Sequence, residues 1–173
     1  MSSILKVDQL QDSGGNAIIT SDGAGNLTTM KTNYPAFLLD GNGTLQSTSN
    51  NTFTKVINFS TTIDTDNSIS SATFTVPTGK DGKYLLFGCT SWVTNSGGQR
   101  LSQIRKNGSE IIRLTSLPAV ATNNNVCAGG SGILDLTAGD DLELFCMQSS
   151  GGNLDLQTNS SQRVRFGGYR IGD

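Results

Sequence analysis

The sequence predicts an all-β protein, a two-sheet jelly-roll sandwich behind a short N-terminal arm of strands and turns. Three observations lead there. Helical periodicity is almost absent, because no segment repeats apolar residues at helical spacing over several turns. Apolar and polar residues alternate instead, with turn signals about every ten residues, the spacing of a sandwich or barrel. Gly, Ser, Thr and Asn make up 76 of the 173 residues, while 15% of the chain is charged and 35% hydrophobic. Small turn-forming residues dominate, yet enough apolar ones remain for a core.

Residues 1–33 differ from the rest and form the expected arm. Ile4-Leu5-Lys6-Val7-Asp8-Gln9-Leu10 leads into Asp12-Ser13-Gly14-Gly15-Asn16, and Ala17-Ile18-Ile19-Thr20 leads into Asp22-Gly23-Ala24-Gly25-Asn26. The same Asp…Gly-Asn pattern thus returns one strand later, and Asp40-Gly41-Asn42-Gly43-Thr44 is a weaker third version. Asp and Asn cap tight turns through their side chains, and Gly supplies positive φ. The arm's apolar residues Ile4, Leu5, Val7, Leu10, Ile18, Ile19 and Leu27 are too few for a core, so they are expected to serve docking onto other copies or a larger assembly.

Residues 34–173 form the expected head. Ala36-Phe37-Leu38-Leu39 opens it, and two alternating runs follow: Thr52 to Phe59, and Ala72 to Pro77, the latter closed by its proline. Lys83 to Val93 is the most apolar run and is expected to be a central strand covered on both faces. Asn107-Gly108 between two alternating runs predicts a type I′ hairpin. Gly132 to Leu136 and Leu142 to Met147 pair about the turn Thr137–Asp141, Leu154 and Leu156 alternate about Asp155, and Arg163 to Ile171 closes the chain. About nine or ten strands of this kind suit a jelly roll.

Chemistry narrows the function. The chain has no His, which removes Ser-His-Asp and Cys-His catalysis and any His-ligated metal. A net charge of −2 gives no case for nucleic acid. No run approaches the roughly 18 apolar residues of a membrane span, and Met1–Asp8 lacks the pattern of a signal peptide. Cys89, Cys127 and Cys146 have no metal spacing and are expected to be buried free thiols. Asp140-Asp141 with Glu143 is the densest acidic spot, and a turn accounts for it better than a calcium site. No phosphate-binding loop is present. No catalytic, cofactor-binding or metal residue is assigned, and the expected protein is not an enzyme. Trp92 and Tyr34 are the candidate stacking platforms for a sugar, with core burial the stronger reading for Trp92.

The order of motifs in the head resembles the C1q/TNF-like jelly roll. Phe74-Thr75-Val76-Pro77 followed by Gly82-Lys83-Tyr84-Leu85-Leu86-Phe87, then Lys106-Asn107-Gly108, Ser131 to Asp140, and Phe166-Gly167-Gly168-Tyr169-Arg170-Ile171 carry the resemblance, with Tyr169 where the family has Phe. It implies a homotrimer, a core filled by Phe74, Tyr84, Phe87, Phe166 and Tyr169, and Lys83 and Arg165 facing outward or lining a subunit boundary. The arm, Leu5-Lys6-Val7-Asp8-x-Leu10-Gln11-Asp12-x-x-Gly15-Asn16, resembles the opening of small virion proteins of marine and cyanobacterial tailed phages.

The combined expectation is a trimeric structural protein of a tailed bacteriophage. It would be made in the host cytoplasm and displayed on the virion surface as a capsid decoration or head fibre. The arm would bind the major capsid protein or a tail component. The alternative is a tail-fibre tip or lectin-like adhesin for host surface glycan.

Overall fold

The computed structural model describes residues 7–30, 34–119, 126–157 and 164–172. The chain divides into two compact units, Met1–Asn33 and Tyr34–Asp173.

The first unit is an antiparallel meander of β1 (Gln9–Gln11), β2 (Ala17–Ser21) and β3 (Leu27–Met30). Its two turns share one construction. The Asp12 carboxylate accepts from the backbone N–H groups of Gly14 and Asn16 (both 2.9 Å) and from the Asn16 side chain. The Asp22 carboxylate accepts from the N–H groups of Ala24 and Asn26 (2.7 and 3.1 Å) and from the Asn26 side chain. Gly15 and Gly25 hold the left-handed position before each Asn (φ 80° and 92°). The Asn26 side chain, followed by backbone donors, holds the Asp22 carboxyl below its ordinary pKa. The third version of the pattern is not such a turn. Asp40 lies in a strand, where it accepts from Arg165 Nε (2.6 Å) and Thr62. Its distant cationic partner outcompetes the local cap.

The second unit holds β4 (Ala36–Gly41), β5 (Gln46–Thr48), β6 (Thr54–Lys55), β7 (Phe59–Asp64), β8 (Ile69–Ser70) and β9 (Thr73–Thr75). They are followed by β10 (Gly82–Trp92), β11 (Gln99–Lys106), β12 (Ser109–Pro118), β13 (Val126–Leu136), β14 (Asp141–Gln148), β15 (Leu154–Leu156) and β16 (Arg165–Gly172). The larger sheet runs β5-β15-β10-β16-β4-β7, with β13 also on β10. The smaller runs β12-β11-β14-β9-β8, with β6 also on β14.

The antiparallel pairs are nested: β11 with β12, β10 with β13, β9 with β14, and β4 with β16. One long hairpin is thus rolled into two sheets, which defines a jelly roll. Its innermost tip is the turn expected from sequence. Asn107 and Gly108 both have positive φ (51° and 81°), and Lys106 pairs with Ser109.

Alternation along each strand fills the space between the sheets. The larger sheet sends in Phe37, Leu39, Tyr84, Leu86, Trp92, Leu136, Leu156 and Phe166, and the smaller sends in Phe74, Ile104, Leu142, Leu144 and Cys146. The Phe37 and Phe74 rings stack across the gap with centroids 4.0 Å apart, and Phe166 meets Phe37 edge-on at 5.1 Å.

The β8–β9 hairpin turns through Ser71 and Ala72, with φ 48° and 60°, while Ser70 pairs with Thr73. A residue with a Cβ pays roughly 1–2 kcal/mol in that region. Replacing the pair with Asn-Gly (S71N/A72G) is expected to stabilise the head by about 1 kcal/mol. A thermal melt checks this, and an unchanged or lowered Tm contradicts it.

Candidate assembly face

Residues paired across neighbouring strands share a face. On β10, Tyr84, Leu86 and Trp92 point into the core, so Lys83, Leu85, Phe87 and Cys89 point out. Leu85 is flanked by Ile133 on β13 and Tyr169 on β16. Phe87 is flanked by Gly167, which in turn pairs with Leu38 on β4, itself paired with Ile63 on β7. Five strands thus present one apolar patch on the outer face of the larger sheet. Ile133 is 60% exposed, Tyr169 45% and Ile63 44%.

Phe87 lies flat because its neighbour has no side chain. A Cβ at Gly167 would sit 2.5 Å from Phe87 Cζ and 2.9 Å from the Phe37 carbonyl oxygen. Ion pairs border the patch: Lys83 with Asp135 (3.6 Å), and Arg165 with Asp40 (2.6 Å). Lys83 and Arg165 do face outward, each paired within its own chain.

These positions correct part of the expected core. Phe74, Tyr84 and Phe166 are buried, at 1%, 0% and 0% exposure. Phe87 and Tyr169 are not core residues, since both occupy outward positions. The motifs give spacing along each strand, but parity against the core decides which aromatics enter it. The same parity leaves Lys83 exposed and Leu85, Phe87 and Cys89 half-buried on the other face of β10, so the apolar run is fully enclosed on its inner face alone.

In the first unit, Val7, Leu10, Ile19 and Leu27 line a shared apolar concavity. Val7, Leu10 and Leu27 are each more than half exposed, at 56%, 51% and 58%. Ile18, next to Ile19, points to the opposite face and is 40% exposed. Ile4 and Leu5 lie outside the described residues.

The acidic spot is bound up in structure. Asp140 accepts from the Lys106 ammonium (3.1 Å), the Asn107 side chain (2.8 Å) and the Thr137 N–H (2.9 Å). Burial alone would raise its carboxyl, but these donors outweigh burial and hold it below the ordinary range. Glu143 accepts from Lys55 (2.6 Å) and Thr73, and Asp141 accepts from Thr75 (2.6 Å). Among the described residues no group of three or more Cys, Asp or Glu is placed to hold a metal ion. No helix there is long and apolar enough to cross a membrane.

The sugar platforms fare unequally. Trp92 is fully buried, with the Arg100 guanidinium 5.8 Å from its ring centroid, whereas Tyr34 is 45% exposed, with Arg170 5.7 Å over its ring. Arg100 is itself buried and donates to the carbonyls of Asn95, Gly97 and Gln99, so it braces the β10–β11 loop from inside. Of the expected buried thiols, only Cys146 is buried. Cys89 is half-buried and Cys127 is exposed, because both face outward from the larger sheet.

Burial raises the Tyr84 phenol to about 12, with Arg170 opposing, and its hydroxyl donates to the Lys80 carbonyl (2.7 Å). The unfolded chain loses this proton near its ordinary value of 10, before the folded chain does. Stability must therefore fall as pH rises from about 10 to 12. Cys89, pushed up to about 11 mainly by burial, and the buried Cys146 act in the same direction from lower pH. Tm is expected to drop as pH rises from about 9 to 12, and the curve of Tyr84→Phe is expected to fall less steeply above about pH 10. Parallel curves for the two proteins would contradict the assignment to Tyr84.

No protein-family model matches the chain, and no curated protein matches it. Solved structures do. Murine APRIL aligns at 12% identity with a TM-score of 0.60, covering 80% of this chain and 99% of that one. The globular domain of zebrafish complement 1qA aligns at 16% with a TM-score of 0.53, covering 80% and 98%. The vertex protein P5 of phage PRD1 aligns at 17% with a TM-score of 0.56, covering 80% and 97%. At such identities the likeness is one of fold, and the fold is the C1q/TNF-like jelly roll.

Proposed function

We propose that the protein is a non-catalytic structural component of a tailed-phage virion, a homotrimer displayed on the particle surface as a capsid decoration or head fibre. The observation that carries this reading is the apolar patch on the outer face of the larger sheet. An apolar centre bordered by ion pairs is the composition of a protein interface. A second copy supplies the same patch, and threefold closure satisfies all copies at once. The fold shared with a phage vertex protein supports a place on a capsid.

The first unit is the attachment arm, residues 1–33, on this reading. Its apolar concavity has too little cover to be a core and offers Val7, Leu10, Ile19 and Leu27 to the major capsid protein or a tail component. Ile18 and the sequence neighbours Ile4 and Leu5 belong to the same docking set. The tail-fibre or adhesin reading loses a platform with the burial of Trp92 and retains Tyr34 for host glycan.

Two measurements test the proposal. Light scattering at micromolar concentration is expected to give three times the 18.2 kDa chain mass, and a monomer would overturn the trimer. Antibody label on virions is expected over the capsid. Label confined to the tail would move the protein to a fibre, and unlabelled virions would remove it from the particle.

A further inference from the structure

The outer face of the larger sheet carries a second feature, away from the apolar centre. On β10 and β13, Cys89 stands opposite Gly129, and Ser91 stands opposite Cys127. The two cysteines are diagonal neighbours on one face. Gly129 brings no side chain to the position opposite Cys89. Cys127 Sγ lies 3.6 Å from the Ser91 hydroxyl, and Cys127, after burial, adds to the rise of the Cys89 thiol.

We propose that Cys89 and Cys127 form an oxidative modification site, in which a small-molecule disulfide converts the thiol pair into an intrachain disulfide between β10 and β13. Exposed Cys127 reacts first. Its sulfur attacks one sulfur of the reagent, its proton passes to solvent, and one reagent thiol leaves. The Cys89 sulfur then attacks the Cys127 sulfur of the mixed disulfide, loses its own proton and expels the second reagent thiol. Two protein thiols are oxidised and one external disulfide is reduced to two thiols.

The geometry requires a small adjustment. Diagonal Cα atoms in a sheet are about 7–8 Å apart, and a disulfide spans up to about 6.8 Å. The two Cα atoms must approach by about 1 Å along the diagonal, through local twist or shear of the strands. Gly88 lies opposite Gly130 beside the Cys89–Gly129 pair, so three of these four residues have no side chain to resist that twist. Cys146 has no part in this, since it is buried and points to the Thr54 carbonyl (3.5 Å). The site needs a single chain and does not depend on the proposed trimer.

The full-length protein, reduced and then incubated with oxidised glutathione, tests the site by peptide mass mapping under non-reducing conditions. The expected product has lost two hydrogens, yields a Cys89–Cys127 linked peptide, and melts about 5 °C or more above the reduced protein. Cys146→Ser should behave identically. Cys89→Ser should stop at a glutathione adduct on Cys127, and Cys127→Ser should show no change in Tm. A lasting glutathione adduct in the unmutated chain, disulfides between chains, or unreacted Cys89 and Cys127 would each overturn the proposal.

Discussion

Aspartate placed at both Phe87 and Tyr169 is expected to yield a folded monomer. Both side chains point away from the core, so the jelly roll itself does not need them. Each aromatic is the type of residue that dominates an interface, where truncation commonly costs about 2 kcal/mol or more. Two such losses weaken association by roughly a thousandfold, before counting the cost of enclosing two carboxylates in an apolar contact. Light scattering should report one chain mass, while Tm of the isolated head fold stays within a few degrees of that of any dissociated wild-type chain. Ile111→Asp on β12 is the control: Ile111 is exposed, lies on the other sheet and should leave the assembly intact. If the double variant keeps its mass, the outer face of the larger sheet is not the interface.

Phe74→Ala is expected to have the largest effect on folding. Phe74 is 1% exposed and comes from β9, a strand of three residues that contributes little else to the core. Its ring stacks on Phe37 at 4.0 Å with planes 9° apart and meets Tyr84 at 6.2 Å. Removing it empties the place where the two sheets touch, and β9 has no means of moving in to fill the gap while it remains paired with β14. The cost of such a truncation is about 3–5 kcal/mol, a large part of the 5–15 kcal/mol typical of a domain. Urea titration should show a sharply lower midpoint with a similar slope. A shift below about 1 kcal/mol would mean that the stack is not a structural joint.

Much of this arrangement is written locally. Asn107-Gly108 fixes the innermost hairpin, because both residues accept positive φ cheaply. Asp12 and Asp22, each four residues before an Asn, announce the two turns of the meander. Other features depend on distant partners. Asp40 looks like a third turn cap, yet Arg165, far along the chain, claims its carboxylate. Phe87 and Tyr169 sit in motif positions that are easily taken for core. Only the pairing of β10 with β16, which fixes both strands' parity, shows them pointing outward. Cys89 and Cys127 are likewise unrelated in sequence and become neighbours through the β10–β13 register.

The nested pairing also has a kinetic side. The outermost pair joins β4, at the beginning of the head, to β16, at its end, so this contact spans nearly the whole unit. Chain-closure entropy must be met before that contact gives anything back, and folds dominated by such distant pairings fold slowly. A nascent chain still missing β16 leaves the edges of β4 and β10 open and the Phe37 ring without Phe166. Until β16 is in place the head is incomplete, and that interval is when the chain is most exposed to aggregation and to proteases.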